Sequence, residues 1–182
     1  VGEGDLVELI LADGTVVATA TVGASDITAG TIQLTTSMLF EGQRNVAARL
    51  VDPSGNGTTT AALAVTIDTT SPTGQTPDLV AASDTGASND DDVTADTTPT
   101  FSVGLDGSVD DGDLVELILS DGTVLASATV QASDILVGSI LLTATELSEG
   151  SQDIAARFTD TAGNSSTTAA LSIVIDLEDD PS

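Results

Sequence analysis

The chain has 182 residues, three of them basic (all Arg) against 29 acidic, for a formal net charge of -26, and it contains no His or Cys. A surface of that sign repels DNA, RNA and anionic lipid, which argues against nucleic-acid binding and direct membrane contact. Without His or Cys the usual general base, thiol nucleophile, disulfides and common zinc sites are missing, so no catalysis is expected.

The hydrophobic residues make up 40% of the chain and are mainly Val, Ile, Leu and Ala, with three Phe and no Trp or Tyr. They are mixed with Thr and Ser in short segments cut by Gly, Asp and Asn, which is a β composition, and no long helical pattern competes with it. Nothing in the sequence reads as a secretory signal or as a run of apolar residues long enough to span a membrane.

From the N-terminus, Gly4-Asp5-Leu6-Val7-Glu8-Leu9-Ile10-Leu11 returns as Gly112-Asp113-Leu114-Val115-Glu116-Leu117-Ile118-Leu119, an offset of 108 residues. The match runs without a gap to Ile67-Asp68 and Ile175-Asp176, with about 40 of the 65 aligned positions identical, so the two copies share one fold. The expected division is a first repeat at 1–68, a linker at 69–76, a complete repeat at 77–177 and an acidic tail at 178–182. Copy one begins at its third strand, because the counterparts of Thr69 to Asp111 lie before or at the very start of the chain. It is therefore expected to leave an open edge and an uncovered apolar face around Leu9 and Leu11. Strands from elsewhere are expected to complete it, from a further N-terminal piece or donated by another copy.

In copy two, Leu79 to Ala82 reads as a first short strand, followed by an acidic loop and a strand at Thr98 to Val103 with Phe101 and Val103 on one face. A second acidic turn, Asp106 to Asp111, precedes Leu114 to Leu119, where Val115, Leu117 and Leu119 share a face. Asp121-Gly122 signals a hairpin to Val124 to Val130. Ile140 to Thr143, Gln152 to Thr159 and Thr167 to Ile175 follow, with a turn at Thr161 to Asn164. Seven strands with regular turn signals read as all-β: tandem antiparallel immunoglobulin-like sandwiches. Arg49 and Arg157 recur at equivalent positions and are each expected to pair with a nearby carboxylate.

The loop Ser83 to Asp96 holds Asp84, Asp90, Asp91, Asp92 and Asp96 with no basic residue. Adjacent carboxylates repel by about 1 kcal/mol per pair even in water, so a folded loop that gathers five calls for a counter-charge. Calcium, which takes carboxylate, hydroxyl and backbone oxygens in flexible geometry, is one candidate; a solvated acidic turn is the other reading. In a sandwich this loop approaches Asp176, Glu178 and Asp179 at one pole. The turn with candidate positions 106, 109 and 111, which includes Asp106 and Asp111, lies at the other, where Asp68 and the linker suggest a second site.

At Asp160-Thr161-Ala162-Gly163-Asn164, with Ile67-Asp68-Thr69-Thr70-Ser71-Pro72 before a new unit and Asp96-Thr97-Thr98-Pro99-Thr100-Phe101 inside it, the chain resembles the bacterial immunoglobulin-like repeats of giant RTX-type surface adhesins. The resemblance implies a secreted, cell-surface extender module without catalytic activity. Such a module contacts neighbouring repeats of the same chain, is stiffened by calcium, and projects a distal binding domain. Carried over by position, Asp68, Asp84, Asp90, Asp91 and Asp92 are the matching acidic places. The alternative is a module that itself binds a glycan, protein or surface.

Overall fold

A computed structural model of the chain describes residues 1–177; the acidic tail, with Glu178 and Asp179, lies outside the described residues. The chain is all-β apart from two short helices and divides into two compact units, Val1–Thr69 and Thr70–Ser182.

The first unit contains β1 (Leu6–Leu11), β2 (Val16–Thr21), α1 (Ala24–Ala29), β3 (Gly42–Val51), β4 (Gly57–Thr59) and β5 (Leu63–Ile67). They form one sheet in the order β2-β1-β3-β4, with β5 also on β3. The β1–β2 hairpin turns at Asp13-Gly14, where Asp13 accepts the Thr15 N–H at 2.9 Å and Gly14 takes a left-handed φ of 84°. No second sheet covers this one among the described residues. Its buried hydrophobic residues are Val7, Val17 and Val22 alone.

The second unit supplies what the first lacks. Its strands are β6 (Asp78–Leu79), β7 (Val93–Thr94), β8 (Thr100–Gly104), β9 (Leu114–Leu119), β10 (Val124–Thr129), β11 (Ser139–Thr143), β12 (Gly150–Thr159), β13 (Ser165–Thr167) and β14 (Leu171–Ile175), with α2 (Ala132–Val137) after β10. One sheet runs β10-β9-β12-β14-β7, with β13 also on β12; the other runs β11-β8-β6. Between them Phe101 and Val103 of β8 meet Val115, Leu117, Ile154, Phe158, Ile173 and Ile175 in a closed core. Alternation puts these side chains inward because successive residues of a strand point to opposite faces.

Four features depart from the seven-strand reading. The first strand stops at Leu79, because the N–H groups of Ser83 and Asp84 both turn back to the Val80 carbonyl. The expected strand from Thr167 to Ile175 is interrupted: Thr168 accepts the Ala156 N–H on its hydroxyl at 3.0 Å, breaking the ladder between β13 and β14. The acidic loop contributes β7, which pairs parallel to β14. Finally, Ala24–Ala29 and Ala132–Val137 are helical. The Asp26 and Asp134 carboxylates accept the N–H of Gly23 and Gln131, each at 2.9 Å, and Gly30 and Gly138 end the helices in left-handed conformation.

The segment expected as a linker is not free along its length. Gly74 bridges to Leu105, Gln75 donates to the Gly104 carbonyl at 2.9 Å, and the Ser166 hydroxyl donates to the Pro72 carbonyl, so Pro72 to Gln75 belongs to the second unit.

Candidate metal centre

Asp84 is the buried member of the acidic loop, only 4% exposed, and its Oδ1 has no hydrogen-bond partner. Its Oδ2 receives a long contact from the Asp92 N–H at 3.4 Å. The turn at Val80 swings Asp84 inward, and hydroxyl groups lock the ground beneath it. Thr94, fully buried, donates to the Ser83 carbonyl and faces the Thr85 hydroxyl at 3.0 Å, while Ser83 accepts the Thr100 N–H at 3.0 Å. The loop crosses itself where Gly86 donates to the Val93 carbonyl at 3.0 Å, and a Cβ at position 86 would sit 2.5 Å from that oxygen. Glycine is required there by the close approach of two backbones.

Asp92 sits at φ 60°, a left-handed conformation that Asp tolerates better than most residues. Burial first, then the carboxylates of Asp84, Asp78, Asp91 and Asp90, raise its carboxyl above the ordinary aspartate value of 3.8. The geometry thus brings Asp84 and Asp92 together and adds Asp78, which the sequence reading left out. Asp78 lies outside the acidic run, in β6 paired with β8, and its charge acts on Asp92. Asp90 and Asp91 are exposed: Asp90 takes the Ser88 hydroxyl, and Asp91 the Val93 N–H at 3.3 Å. Asp96 caps the next turn by accepting the Thr98 N–H at 2.9 Å.

Asp176 adjoins the same loop through its backbone, its N–H donating to the Thr94 carbonyl at 2.9 Å. Asp68 is exposed at the end of β5 in the first unit. In the turn after β8, Asp106 is engaged by the Ser108 hydroxyl at 2.6 Å and by the Thr73 hydroxyl, and these bonds hold its carboxyl below 3.8. Asp111 is exposed. The remaining candidate position is a correction: residue 109 is Val109, 3% exposed in the core, with no side-chain oxygen to offer. The carboxylate that organises this turn is Asp113, which is buried and accepts the Asp110 N–H at 2.9 Å. Among the described residues no three acidic side chains converge closely enough to hold a metal ion.

The two paired arginines are structural. Arg49 meets Glu8 at 2.6 Å and Arg157 meets Glu116 at 2.8 Å, each directly across neighbouring antiparallel strands.

No helix among the described residues is long and apolar enough to cross a membrane. A comparison with curated protein sequences finds no match. Among solved structures, the fibronectin(III)-like modules of CbhA from Clostridium thermocellum align over 94% of this chain and 77% of theirs at 16% identity, with a TM-score of 0.50. A BSP domain of a biofilm associated protein aligns over 93% of this chain at 17% identity and a TM-score of 0.39, and this chain spans only 24% of its length. A Ca2+-stabilized adhesin with which an Antarctic bacterium binds ice aligns over 95% of this chain and 40% of its own at 21% identity, with a TM-score of 0.40. At 16% identity the likeness to the CbhA modules is one of fold alone. The bacterial Ig-like domain family matches residues 71–177, the whole two-sheet sandwich from Pro72 to the end of β14, and the chain belongs to that family.

Proposed function

We propose that the chain is a spacer segment of a secreted bacterial surface adhesin, and that its Ser83–Asp96 loop takes a calcium ion that stiffens the second repeat. The tandem repeat and the family support the spacer role; a string of small sandwiches adds length without chemistry. The observation that carries the calcium reading is the buried, unpartnered Oδ1 of Asp84 beside Asp92, whose ionised form is disfavoured by burial and by four neighbouring carboxylates. Buried acceptors are ordinarily satisfied, and a hard cation satisfies Asp84 while cancelling the repulsion on Asp92. Asp84 and Asp92 are the side chains that would hold it, with Asp78 adding to the negative field. Backbone carbonyls and water would fill the remaining positions, as calcium commonly allows.

Thermal unfolding in calcium against chelator tests this reading. A site of about 10⁻⁴ M affinity in about 10 mM calcium stabilises by about 2.7 kcal/mol, which raises the Tm of a domain this size by roughly 10 °C. Asp84→Asn is expected to remove the calcium increment while the second unit stays folded in chelator. An unchanged transition in calcium would sink the calcium reading, leaving a spacer that is rigid by packing alone.

A further inference from the structure

In the second unit the pairing of β7 with β14 is parallel, whereas every other strand pairing among its described residues is antiparallel. Two bonds fix it: the Val174 N–H donates to the Asp92 carbonyl at 2.8 Å, and the Asp176 N–H to the Thr94 carbonyl at 2.9 Å. Among the described residues, β7 is also the one strand ahead of β8 that pairs with the last strand. The two bonds therefore join the incoming chain directly to the outgoing chain. Residues 95–173, with β8 to β13 and most of the closed core, lie outside that short path. The chain enters and leaves this unit at opposite ends of β12. Pro72 accepts the Ser166 hydroxyl, and Ser166 stands opposite Phe158 near the end of β12. β14 leaves at Ile175, opposite Gly150 at the start of β12.

We infer that the β7–β14 pair is a tension-bearing latch that keeps a pull along the chain from reaching the core strands, and that a cation held by Asp84 and Asp92 strengthens it. A pull drags β7 toward the entry end and β14 toward the exit end. Because the two strands run parallel, with their bonds spaced evenly along them, both bonds are sheared together instead of being opened one after the other. Upstream of β7 the hold is slight: Gln75 on the Gly104 carbonyl, the bridge from Gly74 to Leu105, and the two residues of β6 on β8. Tension that frees these passes through the acidic loop to β7. Asp92 gives its carbonyl to β14 and its N–H to Asp84 at 3.4 Å. An ion joining the two carboxylates ties residue 84 to residue 92 and takes residues 85–91 out of the path of the load. The ion's part rests on the calcium reading above, and the latch rests on the backbone bonds alone.

The test holds the full chain by its two ends under constant tension and times the rupture that releases the longer length, that of the second unit. Forced unfolding reports the unfolding rate, so a lost bond in the sheared pair appears directly as a shorter lifetime. Val174→Pro removes the N–H given to Asp92 and is expected to shorten the lifetime about tenfold, in chelator as in calcium. Ser172→Pro places the same residue on the same edge of β14 but short of β7, and is expected to keep the parent lifetime. Should Val174→Pro fail to fold, Asp176→Pro, beyond the end of β14, removes the other bond and is expected to act alike. In the parent, calcium is expected to lengthen the lifetime by about tenfold or more over chelator. The latch is overturned if the bond-removing variant lasts as long as the parent, or if Ser172→Pro shortens the lifetime equally. A parent lifetime indifferent to calcium, with the bond-removing variant still short-lived, overturns the ion's part together with the calcium reading and supports the latch.

Discussion

Gly74 is the residue whose role is least visible from its neighbours in the chain. A Cβ there would lie 2.3 Å from Cζ of Phe158 and 2.7 Å from the Gly104 carbonyl, and Phe158 is fully buried and cannot swing aside. Gly74→Ala is therefore expected to destabilise the second unit by about 1–3 kcal/mol, the usual cost of forcing a methyl into a packed site. Denaturant unfolding of the variant checks this; an unaltered second-unit midpoint would mean that the 72–75 segment lifts off at little cost. Val109 and Asp113 teach the same lesson from the acidic side. A turn that reads as a row of carboxylates hides one apolar anchor and one buried acid that serves as a backbone acceptor.

The turn between β12 and β13 is an element built twice from different sequences. Asp52-Pro53-Ser54-Gly55-Asn56 and Asp160-Thr161-Ala162-Gly163-Asn164 close identically: the Asp carboxylate accepts the Asn backbone N–H and side-chain amide, each at 2.8 Å. Replacing Thr-Ala by Pro-Ser changes nothing in these contacts, and both carboxylates are occupied by the turn itself. The Asn164 side chain, followed by backbone donors, lowers the Asp160 carboxyl below its ordinary value of 3.8. A lowered folded-state value means that the folded state binds fewer protons. The stabilisation is therefore present above pH 3.8 and is lost as pH falls through the folded-state value. Asp160→Ala is expected to be less stable than the parent at pH 6 and to lose less stability between pH 5 and 2. Parallel acid-unfolding curves for the two proteins would show that the turn contributes nothing to the acid sensitivity.

At the scale of the whole chain, the two units differ in how much core each closes. The second packs one closed core of Phe, Leu, Ile and Val between two sheets, and the first buries three valines on one. Two thermal transitions are expected, the lower from the first unit, because buried apolar area is the main favourable term in folding. Phe101→Ala, which empties the centre of the closed core, is expected to cost about 3–5 kcal/mol and to lower only the upper transition. Calorimetry of the parent and variant separates the cases; a shift of both transitions together would show that the units unfold as one. Most of the net charge of -26 lies in residues 70–182, which carry 21 acidic residues and one Arg against eight and two in residues 1–69, and salt relieves its repulsion, so the comparison belongs at fixed ionic strength.

Much of this architecture could be read from the chain alone. The 108-residue repeat, the alternation of Val115, Leu117 and Leu119, the Asp121-Gly122 hairpin and the cross-strand arginine pairs are local or self-repeating signals, and strand geometry translates them directly into side-chain direction. Tertiary pairing decided the rest. Whether 31–35 or 139–143 becomes a strand depends on a partner strand distant in sequence, since the two segments share the same apolar alternation. Which carboxylate of the acidic loop turns inward depends on the Val80 turn and on β7 meeting β14, and Asp78 acts on Asp92 from β6, a strand outside the acidic run. Composition reports that charges are near one another along the chain; burial and repulsion depend on distances in space, which only the folded backbone sets.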